Sequence, residues 1–520
     1  MKIAILADHR WNSGAKTYTI SATLSFLKIY ELLKSRLKDL EIKLYVTTFN
    51  GDNGVDYHEV DFNELYKLYK EGKIKEILEL AIEQNYYGKS RKIGLDDLLT
   101  GLSSSDFKFI SSAGFGLFDR NITKENLDKI LSEKGNFVVM VHSDLDGNLL
   151  TDLWNIINRN ELKNIREETK RKIYNLFEKR IHKGYLDDED QKELITLAKY
   201  LFFGDNEEAR ELREKYRWLV EAIEKELHIL DRLKYGIVMF PTDVVRDSNE
   251  RYAEKITGSK FRRAIVLDEP MFMISLWKNY KDEIEAYRNY YVNSYGEDKR
   301  IKLIYNGRIH PEKGINDVIK LYEDLLKEGK DVMLIIITPD MREGSEEYEK
   351  LKEIIRKYKR GEVHIYSEQM GNSLYVYPLH LIGFLEAMGE LKNTVYINAA
   401  YIESYGLATL EALIFGKKLP IIHRKISALQ ELEERGILSS ELSFKTYEDL
   451  YNLVKEVIGK IESGSFDVNK YINEEKRKEL IESADPEKVA EIYAEIIYNY
   501  IRENYNNLEN QKAQEDNVNS

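Results

Sequence analysis

The chain has 520 residues, 43% hydrophobic and 32% charged, a formal net charge of −13 and no cysteine. That length exceeds what one hydrophobic core holds and points to two domains, and the composition is that of a folded chain rather than a disordered one. The acidic balance argues against a dedicated nucleic-acid binder, and the missing cysteine excludes disulfides, thiolate metal sites and a cysteine nucleophile.

In chain order, the first residues (MKIAILA) read as a buried strand, with a loop from Asp8 to Gly14. A helix follows from Thr19 to Lys38, with Ile20, Leu24, Phe26, Leu27, Tyr30 and Leu33 on helical spacing. The opening apolar run is too short for a signal peptide, and no run of about 18 apolar residues follows, so the expected location is the cytoplasm. Strand, glycine-containing loop and helix open a doubly wound α/β domain, whose ligands sit beyond the carboxyl ends of the strands. Further strands are predicted at Glu41–Phe49 and in the runs DFKFISSAG and GNFVVMVHSD. The last of these ends at His142, which points into a cleft if the strand is parallel; the alternative is a capped loop residue. Asp144 and Asp146 follow it, and such pairs hold a divalent ion in some sugar-transferring enzymes but more often mark a turn.

From about residue 150 to 232 the chain is charged and helical in pattern, which predicts solvated helix faces in a lid or partner surface. A strand Gly236–Phe240, the run RRAIVLDEP and a charged helical stretch from Trp277 to Tyr295 lead to the second half. There KLIYNGRIHPEKG is a strand and a loop, with a helix after it, and Arg308 and Lys313 lie five apart across the loop. Two fixed cations beside a helix start suit a diphosphate leaving group, the alternative being loose surface charge. Strands are read in DVMLIIIT, GEVHIYSE, Thr394–Asn398 and Leu419–His423. After Asn398 comes the turn Glu403-Ser404-Tyr405-Gly406, a helix Leu407–Phe415 and a stop at Gly416. Gly406 lets the backbone approach a ligand, and the new helix aims bare N–H groups at it, an arrangement that favours a phosphate. Glu403 and Glu411 flank that anion site.

Two glutamates around Tyr405-Gly406-Leu407, then Glu411-Ala412 and Gly416-x-x-x-Pro420, resemble the signature of retaining glycosyltransferases of family four. Gly307-Arg308 with Glu312-Lys313-Gly314 resembles the second signature of that family. Within it, the run Tyr396–Ala412, the His142-Ser143 pair and Tyr375–His380 are most similar to the sucrose-phosphate synthase and sucrose synthase branch. Ala399, Ser404, Tyr405 and Ala408 replace residues usual in that branch. Ser13-Gly14 stands where the family has two glycines near the donor phosphates, and Asp268-Glu269-Pro270 where it has Pro-Asn-Gly, a departure that weakens a contact there.

The resemblance implies the GT-B fold: α/β, two Rossmann-like domains facing a cleft. The expected division is an N-terminal acceptor domain over residues 1–296, with the helical insertion at about 150–232, and a donor domain over 297–485. A helix over 486–505 would cross back to the first domain, and the polar tail 506–520 is predicted disordered. By resemblance, His142, Arg308, Lys313 and Glu403 carry the chemistry, and Gly14, Gly307, Gly406, Leu407 and Glu411 bind the donor, Glu411 at its ribose. Arg10 and Lys16 are offered to an anionic acceptor. The implied activity is transfer from a nucleoside-diphosphate sugar to a small-molecule or glycan acceptor, such as a sugar phosphate or phosphoglycerate. It needs no metal and no further cofactor, because the cations do the ion's electrostatic work. No nucleic-acid partner or membrane span is implied, and the insertion is a candidate oligomer or partner surface. A sugar phosphorylase, a nucleotide-sugar epimerase or a degenerate scaffold on the same fold are the alternatives.

Overall fold

In the computed structural model, the residues described are 1–8, 14–37, 39–49, 55–82, 90–110, 122–158, 162–372, 374 and 378–518. Among the described residues, fourteen strands form two sheets. The first contains β1 (Lys2–Asp8), β2 (Glu41–Phe49), β3 (Val55–Val60), β4 (Ser90–Ile93), β5 (Phe107–Ile110), β6 (Phe137–Met140), β7 (Ile237–Phe240) and β8 (Arg263–Val266), in the order β4-β3-β2-β1-β5-β6-β7-β8. The second contains β9 (Ile301–Asn306), β10 (Val332–Thr338), β11 (Glu362–Ser367), β12 (Thr394–Asn398), β13 (Ile421–Arg424) and β14 (Ser443–Phe444), in the order β11-β10-β9-β12-β13-β14. Every pairing is parallel except β2 with β3 and β3 with β4. These are two α/β domains of Rossmann type.

Parallel strands covered on both faces read as unbroken apolar runs, and β5, β6, β7 and β10 are buried at every position. The strands β3 and β4 escape sequence reading because both carry little apolar signal, VDYHEV in β3 and SRKI in β4, the polar strand at the sheet edge. The first helix runs Gly14–Lys34, earlier than the apolar spacing suggests.

The stretch read as solvated insertion is corrected in one respect. It forms helices Leu145–Asn158, Glu167–Lys183, Asp188–Phe203, Glu207–Lys215 and Arg217–Leu233, whose inner faces are buried in one core with Leu6, Val139 and Phe240 of the first sheet. In the helix Glu167–Lys183, the positions Ile173, Leu176, Phe177 and Arg180 are all buried, at the spacing of a helix's inner stripe. Trp154 stacks on Phe177 with ring centroids 4.6 Å apart, tying this helix to Leu145–Asn158 and so to the first sheet.

The last helix, Pro486–Val518, runs on through the polar segment expected to be disordered. Its first turns pack on the N-terminal domain. The Ser25 hydroxyl donates to the Pro486 carbonyl at 2.7 Å, Tyr493 meets Phe109, Tyr500 meets Phe107, and Arg36 pairs with Glu495. No helix among the described residues is long and apolar enough to cross a membrane.

Candidate functional site

The chemistry-bearing residues lie beyond the carboxyl ends of β6, β8, β9 and β12, where an open α/β sheet presents ligands. Beyond β9, the buried Tyr305 hydroxyl donates to the carbonyls of Arg308 (2.9 Å) and Lys313 (3.3 Å), pinning the backbone on both sides of the loop. A β-carbon on Gly307 would meet that hydroxyl at 2.9 Å. Gly314 has φ 68° and lies so close to the chain after β12 that a β-carbon would sit 2.0 Å from the Ala399 carbonyl. The Glu312 carbonyl accepts from the Tyr401 amide at 2.7 Å. The two signature loops are therefore one packed unit.

Within that unit Lys313 Nζ lies 2.9 Å from Glu403 Oε1 and 3.3 Å from the Ile402 carbonyl. Arg308 is exposed, and no carboxylate among the described residues pairs with it. Gly406 has φ 78° and caps the helix Leu407–Phe415 without a side-chain hydrogen bond. The first bonds in that helix run from Thr409 and Leu410 to the Gly406 carbonyl, so the amides of Leu407 and Ala408 have no acceptor among the described residues. Free amides and the positive end of the helix dipole thus lie beside the Lys313–Glu403 pair.

Glu411 is buried at 7% exposure, and no hydrogen-bond partner is found for its carboxyl among the described residues. Burial pushes that carboxyl up to about 8 from 4.5. The unfolded chain ionises it near 4.5 while the folded chain keeps it neutral to about 8. Its contribution to stability is therefore full below pH 4.5 and is lost as the pH rises through 8, by a few kcal/mol in all. Glu411→Gln should flatten the fall in the urea midpoint between about pH 5 and about pH 8; an unchanged slope would show that another group sets it.

Across the cleft, His142 Nδ1 is 2.6 Å from Glu269 Oε1, a carboxylate that is itself buried. The Glu269 amide donates to the Tyr405 hydroxyl at 3.1 Å, so the turn before Gly406 reaches the first domain. Thr242, beyond β7, donates to the Ser404 carbonyl at 3.1 Å. Asp268 takes both guanidinium nitrogens of Arg435 at 3.2 Å. Asp268-Glu269-Pro270, where the chain departs from the family pattern, is thus a junction between the domains.

The insertion supplies a second junction. Arg180 is 3% exposed, lies 2.9 Å from Asp144 Oδ2, and also pairs with Glu312 on the other domain. Thr151 donates to the same Glu312 oxygen at 3.2 Å, and the Ser427 hydroxyl donates to the Gly184 carbonyl at 2.9 Å. Gly184 has φ 79°, and a β-carbon there would strike Ile426 and Ser427 at 2.4 Å. Burial above all, opposed by Glu312 and assisted by the cations Arg308, Lys313 and Arg180, holds the His310 imidazole below its usual range. Asp146 accepts from Gln191 at 2.7 Å, so both members of the Asp144-x-Asp146 pair are engaged by protein groups. Among the described residues, no group of three or more His, Asp or Glu side chains is arranged to hold a metal ion.

Of the expected site residues, Arg308, Lys313, Glu403, Gly307, Gly406, Leu407 and Glu411 lie in the packed loops after β9 and β12 and the helix that follows, and His142 is connected to them through Glu269 and Tyr405. Gly14 and Lys16 open the helix Gly14–Lys34; Arg10 and the residues 375–377 lie outside the described residues. Sequence reading missed Arg180, Glu269 and Tyr305. For Arg180 a signal existed, a cation at the next position of an apolar helical stripe.

Residues 291–479 match the family model of glycosyl transferases group 1, a stretch that includes Arg308, Lys313, Glu403, Gly406 and Glu411. A protein of Methanocaldococcus jannaschii described as an uncharacterized glycosyltransferase is 28% identical over 162 residues, covering 28% of this chain and 37% of that one. The match thus spans little more than a third of that relative's length. Among solved structures, a glycosyltransferase from Rickettsia africae is similar with a TM-score of 0.50 at 12% identity, covering 96% of this chain and 98% of that one. The N-terminal domain of the trehalose-6-phosphate phosphatase of Candida albicans is similar with a TM-score of 0.50 at 9% identity, with coverage of 96% and 98%. The fold is GT-B.

Proposed function

We propose that this chain is a retaining glycosyltransferase that moves a sugar from a nucleoside-diphosphate donor to an acceptor hydroxyl. The observation that carries the reading is the unit formed by Arg308, the Lys313–Glu403 pair and the uncapped helix start at Gly406-Leu407, inside the stretch that matches glycosyl transferases group 1.

In this reading the donor diphosphate lies against Arg308, Lys313 and the amides of Leu407 and Ala408. As the bond from the anomeric carbon to the phosphate oxygen breaks, its electron pair goes to the diphosphate, and these fixed positive groups stabilise the added charge without reorganising. They do the work a metal ion does elsewhere. Glu403 holds sugar hydroxyls and steadies positive character at the anomeric carbon, while Glu411 takes the ribose hydroxyls. The acceptor oxygen bonds to the anomeric carbon on the face the leaving group departs from, and its proton passes to the departing phosphate oxygen. His142 orients the transferred sugar or the acceptor. The motifs around Glu403 and His142 favour the sucrose-phosphate synthase branch, hence a small sugar phosphate or phosphoglycerate as acceptor, with Arg10 and Lys16 as the residues offered to its anion.

A screen of nucleoside-diphosphate sugars tests this, reading binding and slow hydrolysis in the parent, Arg308→Ala and Glu403→Ala. One donor should bind and release sugar with its anomeric configuration retained, and both variants should lose turnover. If no donor binds, or the variants match the parent, the reading is wrong. Products formed only with added phosphate would mark a phosphorylase.

A further inference from the structure

We infer that Glu269 is a positioning residue that fixes the orientation and tautomer of His142. An ionised carboxylate only accepts hydrogen bonds, so at 2.6 Å the Nδ1 of His142 must carry the proton and donate it. In the neutral ring Nε2 is then the nitrogen that holds the lone pair. Glu269 is 3% exposed, so water does not compete well for that bond.

The carboxylate is held there by its surroundings. The Leu267 amide bonds the Phe240 carbonyl at 3.0 Å, and the Met271 amide bonds the Ala484 carbonyl at 2.8 Å, so the segment is tied on both sides. Pro270 follows, which restricts Glu269 to extended backbone. The Glu269 amide donates to the Tyr405 hydroxyl, and that hydroxyl donates to Asp268 Oδ1 at 3.4 Å while Arg435 grips both Asp268 oxygens. Tyr405 lies between Glu403 and Gly406. The partner of His142 is thus anchored to the turn that carries the candidate donor site, and domain closure and imidazole orientation draw on the same contacts. The consequence for sugar transfer rests on the function proposed above; the pairing itself does not.

The test is 15N NMR of histidine-labelled protein, with the His142 signals among the nine histidines identified by their loss in His142→Gln. The parent should show His142 with its proton on Nδ1. Glu269→Gln, nearly isosteric, removes the charge that compels Nδ1 to donate, and Glu269→Leu removes the acceptor altogether. In both, the Nε2–H form should become populated, and donor turnover should fall about tenfold or more in kcat with KM little changed. If the Leu variant fails to fold, the Gln variant decides alone. An unchanged 15N pattern overturns the inference, as does a changed pattern with kcat untouched. If the parent binds no nucleoside-diphosphate sugar but the pattern shifts, the transfer reading fails and the pairing stands.

Discussion

Replacing Arg180 with methionine is expected to lower stability or open the cleft at a cost of about 3–5 kcal/mol, the usual penalty for removing one member of a buried ion pair. Arg180 sits on the insertion and pairs with Asp144 on the first domain and Glu312 on the second, and all three side chains are largely buried. Without the cation, two carboxylates would remain close together with little water to screen them. Because a two-domain chain need not unfold in one step, the comparison is of urea midpoints by more than one probe, together with the radius from small-angle scattering. The triple variant Asp144→Asn, Arg180→Met, Glu312→Gln should recover most of the loss, since replacing a buried ionic cluster by neutral groups is often close to neutral. An Arg180→Met protein with the parent's midpoint and radius would show that the triad contributes nothing to closure.

Such a triad also marks the limit of reading the chain without its fold. The strands β2 and β12 and the helix Leu407–Phe415 were legible to the residue, because the strands are rich in β-branched and aromatic residues and the helix is bounded by glycines. The spacing of Arg308 and Lys313 on one loop and of Glu403 and Glu411 around one helix start is readable in the sequence, but the packing that brings Lys313 to Glu403 is not. Arg180 pairs with residues 36 and 132 positions away, and Glu269 with a histidine 127 positions away. Those contacts depend on how the two domains and the insertion pack, and no local pattern encodes that. The insertion misled for a related reason: its charge is high because its outer faces are wet, while the inner stripe of Ile173, Leu176 and Phe177 is short enough to be overlooked. Strands β3 and β4 carry too few apolar residues to be read locally, β4 because a sheet edge is kept polar to stay unpaired.

Lys313→Ala should reduce turnover on a nucleoside-diphosphate sugar by about 10²–10³-fold, the scale of losing one preorganised charge stabiliser in a sheltered site. The structure leaves two physical roles to separate. Lys313 is 2.9 Å from Glu403, so it either acts on the leaving diphosphate or serves only to neutralise that glutamate. The second role makes a distinct forecast: once Glu403→Gln has removed the negative charge, losing Lys313 should matter little. The first forecasts further loss in the double variant, because lysine and glutamate then act on different parts of the donor, the diphosphate and the sugar. A double-mutant cycle on kcat/KM for donor hydrolysis distinguishes them. The expected result is the second fall. Arg308 is exposed and, among the described residues, is matched with no carboxylate, while a lysine already paired with a glutamate sits at the same loop; in the proposed function the first cation would meet the diphosphate and the second would act where charge develops as the bond breaks. A double variant no slower than Glu403→Gln alone would reassign Lys313 to holding Glu403 in place and leave the leaving group to Arg308 and the helix amides.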